Sequence, residues 1–239
     1  MPTLSLIIPM YNESSIIAQC AETLHTYLEN TFPSDYELIF VNDGSRDDCA
    51  QIVEGMNLPN VRVIGYETNR GKGYAVRQGM LDATGDYCMF TDADLAYGTD
   101  VVEKAVATFR EHPEASLVIG SRNLTEDGYA GYTWIRKVAS KLYIKVLCLA
   151  GGLKLSDSQC GCKAFTQKAA KDIFSRCEVD RFAFDFESIL WAEKLGYKVA
   201  EMPVVIVNHR ESKVHVVRDS FRMLRDLRKM KKRIKKASV

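Results

Sequence analysis

No stretch of this 239-residue chain offers the run of about 20 uncharged apolar residues that a bilayer-spanning helix needs. The longest apolar segment, 138–153, is broken by Lys141 and Lys145. The opening MPTLSLIIPMYNE lacks the basic start and small-residue cleavage site of a secretory signal, so it reads as the first strand of a cytoplasmic protein. A disulfide framework is missing too. The seven cysteines (20, 49, 88, 148, 160, 162 and 177) are scattered and odd in number. Cys160 and Cys162, the one close pair, lack the second pair of a zinc site and read as small buried apolar side chains. Only four histidines occur (25, 112, 209 and 215), in no recognisable relation to a serine nucleophile, so covalent catalysis of the triad type has no support. Internal repeats and low-complexity linkers are absent. With 46% hydrophobic and 26% charged residues, collagen-like and disordered classes are excluded, and the length suits one large domain with a sizeable core.

The net charge of +1 hides an asymmetry. Residues 210–239 hold twelve Lys or Arg against three Asp or Glu, so the tail carries +9 and the remaining 209 residues −8. A basic tail on an acidic body points to an anionic surface as the partner of that tail. On a helical wheel over 214–236, Val217, Phe221, Met223, Leu224, Leu227, Met230 and Ile234 share one half. Arg218, Arg222, Arg225, Lys229, Lys232, Arg233 and Lys236 cluster on the other. That is the pattern of a helix lying in a membrane interface, or of one whose apolar half packs on the domain and leaves its charges solvated. A nucleic-acid-binding tail on an inert domain is the competing reading.

Through the first half, apolar runs suited to strands (4–9, 36–41, 61–66, 87–90 and 116–120) alternate with helical patterns. The helices are expected after Asn12 or Ser14 as a cap, from about Asp47, over 72–83 and over 101–109. This order predicts a mostly parallel sheet covered by helices, with ligands collected at the carboxyl ends of the strands. The polar residues at those ends are Tyr11–Glu13, Asn42–Ser45, Asp92–Asp94 and Ser121–Arg122. Beyond them lie a polar loop suited to a lid (123–133), a helix over 134–150, the segment DSQCGCKAF (157–165), helices near 167–173 and in 181–197, and a late strand over 199–207. The expected division is a domain of 1–213, split near 121 into donor and acceptor halves, and the helix of 214–239.

TDADLAYG (91–98) carries the sharpest chemistry. Asp92 and Asp94, just past a buried strand, can hold a hard divalent cation, Mg²⁺ or Mn²⁺, through oxygen. Asp43 in VNDGS stands at a second strand end, where a carboxylate can accept from a nucleobase N–H or a ribose hydroxyl. NRGKGYAVRQG (69–79) reads as a phosphate cradle at a helix start, without Walker or dinucleotide spacing.

PMYNE (9–13), VNDGS (41–45), GKGYAVRQGM (71–80) and TDAD (91–94), in that order, resemble the family 2 glycosyltransferases. These are inverting enzymes of the GT-A fold that use a nucleotide-diphosphate sugar and a divalent cation. GSR (120–122), DSQCGCKAF, DRFAFDFE (180–187) and ESK (211–213) extend the resemblance to the polyprenyl-phosphate branch, the dolichyl-phosphate β-glucosyltransferases first and the mannosyltransferases next. The resemblance implies that Pro9, Tyr11, Glu13 and Asp43 hold the nucleoside, with Lys72 near it. It implies that Asp92 and Asp94 reach the donor diphosphate through the metal, and that Arg122 and Arg136 meet the acceptor phosphate. Asp157 and Gln159 would border the sugar or acceptor, and Arg210 and Lys213 would close over the diphosphate. UDP-glucose heads the donor candidates, and peripheral contact with an anionic membrane follows from a lipid acceptor. Nucleic acid is not an expected partner. Two features depart from the pattern. Ala96 stands where the mannosyl enzymes carry a glutamine, and the membrane-spanning helices of many relatives are missing. An alternative is a family 2 enzyme of polysaccharide synthesis, whose hydroxyl acceptor needs a base, with Asp157 or Asp185 as the candidate.

Overall fold

Strands buried on both faces of a parallel sheet read as near-continuous apolar runs, and Leu4–Met10, apolar but for the hydrogen-bonded Ser5, forms β1. In this computed structural model, which describes residues 1–181, 183–208 and 227–237, the expected alternation follows. It runs α1 (Ser14–Thr31), β2 (Tyr36–Asp43), α2 (Cys49–Gly55), β3 (Val61–Tyr66), α3 (Lys72–Asp82), β4 (Tyr87–Phe90), α4 (Val101–Glu111) and β5 (Ala115–Ser121). A short 3-10 turn, Arg122–Leu124, leads to α5 (Trp134–Gly151), β6 (Lys163–Thr166), α6 (Gln167–Phe174), α7 (Phe184–Lys194) and β7 (Lys198–Pro203). A further helix, α8, spans 227–236.

The sheet order is β3-β2-β1-β4-β6-β5-β7, parallel except for β6, which is antiparallel to both neighbours. Side chains alternate faces along each strand, so β1 and β2 feed two cores. Leu4, Leu6, Ile8, Leu38 and Phe40 pack beneath α1, α2 and α4. Ile7, Ile39 and Val41 pack on the other face with α3, α6 and α7.

The late strand was expected over 199–207 and ends at Pro203, while β6 was not expected at all. That four-residue strand decides which residues reach the site. Because β6 runs backwards, its entry rather than its exit lies at the carboxyl edge of the sheet, with Lys163 opposite Phe90 and Ile119. The segment 157–162 is thereby delivered beside Asp92.

The start of α1 differs from expectation as well. Neither Asn12 nor Ser14 caps it by its side chain; Ser14 N donates instead to Asp47 Oδ2 at 2.9 Å, and Asn12 Oδ1 accepts from Arg46 N. Two turns on neighbouring strands hold one another.

The interfacial reading of the tail does not hold for α8. Leu227, Met230 and Ile234 are buried in the α3–α6–α7 core. Arg233 pairs with Glu178 and with the fully buried Glu187, and Lys231 Nζ donates to Ala150 O at 2.9 Å. The apolar stripe read from the sequence is real, but the domain covers it. Residues 214–226 lie outside the described residues. Truncation before Leu227 should therefore destabilise the domain by several kcal/mol, since burying each such side chain contributes about 1.5–3 kcal/mol. A thermal melt that is unchanged by the deletion would contradict this packing.

Candidate active site

The β3-β2-β1-β4 order places β1 and β4 side by side where the connections turn opposite ways, the position where open sheets bind ligands. A cleft of about 330 Å³ lies there. Pro9, Met10, Tyr11 and Glu13 line it from the end of β1, Asp43 from β2, Gly71 and Lys72 from the start of α3, and Asp92–Asp94 from β4, with Asn69 and Arg181 completing the rim. Seven residues picked from the sequence thus share one cavity: Pro9, Tyr11, Glu13, Asp43, Lys72, Asp92 and Asp94.

Asp43 is buried and heavily engaged. Its carboxylate accepts from Tyr66 Oη (2.8 Å), Asn69 Nδ2 (2.7 Å), Arg70 N (2.8 Å) and Gly71 N (2.9 Å). The start of α3 does cradle an anion, as its glycines suggested, but within the protein that anion is Asp43. The close approach at Gly73 is likewise internal. A Cβ there would sit 2.5 Å from Val179 O. Burial and the Asp43 carboxylate hold the Tyr66 phenol above its ordinary range.

Lys72 forms an ion pair with Asp92. Burial works against the Lys72 charge, but Asp92, Asp185 and Asp94 outweigh it and hold the ammonium above the ordinary lysine range. A folded pKa raised this way keeps its contribution complete below about 10.5, to be lost only as pH rises through the elevated value. Without added divalent cation, the melting temperature should accordingly show no alkaline inflection from Lys72 between about pH 7 and 9. One that vanishes in Lys72→Arg would contradict this.

Gly161 was missed by sequence reasoning, which saw only its cysteine neighbours. A Cβ on Gly161 would lie 2.8 Å from Asp92 Oδ2 and 3.8 Å from Lys72 Nζ. Gly161→Ala should push the Asp92 carboxylate aside while the fold stands, because the atom that must give is the end of a side chain. Misplacement by about 1 Å costs about 100-fold in rate. Paired kinetics and thermal melts would check this expectation.

A second cluster lies at the ends of β5 and β7. Arg122 Nε and Nη2 donate to Asp157 Oδ2 (2.7 Å) and Oδ1 (3.1 Å), and the Asp157 side chain is 0% exposed. Gln159 N also donates to Asp157 Oδ1, at 2.9 Å. Glu201, another residue the sequence did not flag, accepts from Ser156 N, Ser156 Oγ and Asp157 N, and so fixes the turn that presents Asp157. The Arg122 guanidinium lies 5.3 Å from the centre of the Tyr129 ring, Tyr129 packs edge-on against Tyr132, and Arg136 lies 4.1 Å over Tyr132. The two arginines therefore bracket one aromatic pair. Asp185 is held by the buried Lys163, whose Nζ donates to it at 2.8 Å. Arg210 and Lys213 lie outside the described residues.

The family model for Glycosyl transferase family 2 matches residues 5–174. The chain is 31% identical to the dolichyl-phosphate beta-glucosyltransferase of Dictyostelium discoideum and 30% to that of Saccharomyces cerevisiae, in each case over 94% of this chain and 72% of the relative. It is 31% identical to the Homo sapiens protein of that name, over 84% of this chain and 66% of the relative. Among solved structures, glucosyl-3-phosphoglycerate synthase from Mycobacterium tuberculosis, crystallised with Mn²⁺, UDP-glucose and phosphoglyceric acid, superimposes with a TM-score of 0.71. That match is 18% identical and covers 96% of this chain and 79% of the other. Mannosyl-3-phosphoglycerate synthase from Rubrobacter xylanophilus superimposes with a TM-score of 0.67 at 18% identity, over 97% of this chain and 73% of the other. The shared architecture is GT-A. With the family model spanning most of the chain and relatives aligned along nearly all of it, the chain belongs to glycosyl transferase family 2 and is a glycosyltransferase.

Proposed function

We propose that the protein moves glucose, with inversion, from UDP-glucose to a polyprenyl phosphate at the cytoplasmic face of a membrane, using Mg²⁺ or Mn²⁺ at Asp92 and Asp94. The observation that carries the reading is that carboxylate pair at the exit of β4, lining one cleft with the Pro9–Glu13 turn and Asp43. The names of the curated relatives support the lipid-phosphate acceptor and the glucosyl donor.

Two carboxylates form an oxygen-only donor set, which fits a hard cation that fills its shell with water and substrate phosphates. Such a cation, when bound, offsets the negative charge that builds on the departing diphosphate. The chain's own residues do the rest. Pro9, Tyr11 and Glu13 border the nucleoside, with Asp43 bracing the loop beside it. Lys72 supplies a fixed positive charge next to Asp92. An oxygen of the acceptor phosphate forms the new bond to the sugar C1, the bond from C1 to the diphosphate breaks, and its electron pair leaves with UDP. That oxygen is already anionic at neutral pH, so the step needs positioning more than it needs a base. Arg122, aimed by Asp157, and Arg136 bind the acceptor phosphate, with Gln159 nearby.

The hydroxyl-acceptor alternative is disfavoured by the state of its base candidates. Asp157 is enclosed and bidentate to Arg122, and Asp185 is taken up by Lys163. Purified protein offered a panel of nucleotide sugars, with and without polyprenyl phosphate, should release UDP from UDP-glucose only when the acceptor and a divalent cation are present. Preferential release of another nucleoside diphosphate would overturn the donor assignment.

A further inference from the structure

Helix α5 is apolar on two opposite sides. Its inner side, Ile144, Leu147, Cys148 and Gly151, is buried. On a wheel of roughly 100° per residue, Ile135, Val138, Leu142, Val146 and Leu149 fall within an arc of about 80° on the opposite side. Ile135 is 73% exposed, Leu142 62% and Leu149 72%, and Trp134 at the helix start is 77% exposed. Large apolar side chains in an unbroken exposed stripe mark an interaction surface.

The charge around the stripe selects its partner. α5 carries Arg136, Lys137, Lys141 and Lys145 and no acidic residue. α8 adjoins its C-terminus through the Lys231–Ala150 bond, and exposes Arg228, Lys229, Lys231, Lys232, Lys235 and Lys236. A second copy of this chain would bring the same cations face to face, whereas an anionic bilayer answers both the apolar stripe and the positive flanks. The four cations also prevent the helix from crossing a membrane, and no helix among the described residues is long and apolar enough to do so.

We infer that α5 is the membrane-docking element, lying in the interface of an anionic bilayer with Ile135, Val138, Leu142, Val146 and Leu149 inserted and Trp134 at the headgroup level. The inference rests on the lipid-phosphate acceptor proposed above and gives it a geometry. Tyr129, which packs against Arg122, also lies 5.6 Å from Lys141 Nζ on α5. Docking on α5 therefore sets the arginine pair beside the headgroup layer, where the phosphate of a polyprenyl lipid resides. α8, with its apolar side already covered, adds positive charge without insertion.

Trp134 provides the probe, because the only other tryptophan, Trp191, is 4% exposed. Full-length protein should sediment with vesicles of phosphatidylcholine mixed with phosphatidylserine, far less with phosphatidylcholine alone, and its tryptophan emission should shift to the blue on binding. Leu142→Glu with Leu149→Glu should weaken vesicle binding by about 100-fold or more. The melting temperature and the activity on a short, water-soluble prenyl phosphate should stay unchanged. Trp134→Phe should remove the emission shift. Vesicle binding retained by the double variant, or an unshifted Trp134 in vesicle-bound protein, would overturn the assignment. A wild-type dimer that the double variant converts to monomer, without vesicle binding, would give the surface to a second copy and overturn it as well. Protein that docks through α5 but uses no prenyl phosphate would leave the surface standing and sink the acceptor reading instead.

Discussion

Asp94→Ala should lower turnover by on the order of 1,000-fold or more while the thermal melt stays close to wild type. A Lewis-acidic cation contributes several kcal/mol to stabilising a departing diphosphate, and each 1.36 kcal/mol is tenfold in rate, so on the proposed assignment the loss of either carboxylate should appear in kcat. Asp94 also accepts a local bond from Ala96 N at 3.1 Å, and a single such bond contributes about 1 kcal/mol to stability. Asp92→Ala should be worse in both respects. It removes the other carboxylate and also leaves the Lys72 ammonium, 23% exposed at its side chain, without its ion-pair partner. Steady-state kinetics at saturating Mn²⁺, with a chelator control, would separate the two variants. Full activity in chelator would contradict the metal-dependent chemistry.

The second large effect is expected at Arg122 and Asp157. Breaking a buried ion pair by removing one partner costs about 3–5 kcal/mol, because the remaining charge is left in a poor solvent. Asp157→Ala should accordingly be destabilised on that scale and lose acceptor use, since Arg122 would no longer be aimed. Arg122→Lys keeps the charge but not the fork that Asp157 grips at Nε and Nη2. A point charge replaces a planar bidentate partner poorly. Arg122→Lys should therefore fold, bind donor normally, and show a lower kcat/KM for the lipid phosphate. Loss of donor affinity in place of acceptor use would move Arg122 to the other substrate.

The parallel half of the fold was legible because its signals are local. Apolar runs such as 4–9 and 36–41 announce strands buried on both faces, and the polar turns after them announce where a ligand sits. Asp92 and Asp94 could be picked from such a turn, and they line one cleft with Tyr11 and Glu13. The acceptor half was read less completely. Strand β6 has only four residues, too few to show an alternation, so the delivery of Gly161 against Asp92 was invisible. The pairing of Arg122 with Asp157 joins positions 35 apart in the chain, and no periodicity reports such a contact.

The two basic helices show a different limit. Hydrophobic patterning states which side of a helix is apolar but not what covers that side. In α8 the apolar stripe is covered by the domain, where the sequence pattern allowed either the domain or a membrane. In α5 apolar residues on two opposite sides gave the sequence a merely hydrophobic helix, and one of those sides is exposed. Amphipathicity concealed the docking in one and the exposure in the other.

The proposed reaction is direct displacement, by an acceptor phosphate, on a donor held in the cleft between β1 and β4. Its most direct test is the linkage of the product formed from UDP-glucose, whose sugar is α-linked, and polyprenyl phosphate, assigned by NMR after a single turnover. One inverting displacement without a base predicts a β-glucosyl phosphate, with the new bond to a phosphate oxygen. An α-linked product, or glucose attached to a hydroxyl, would contradict it.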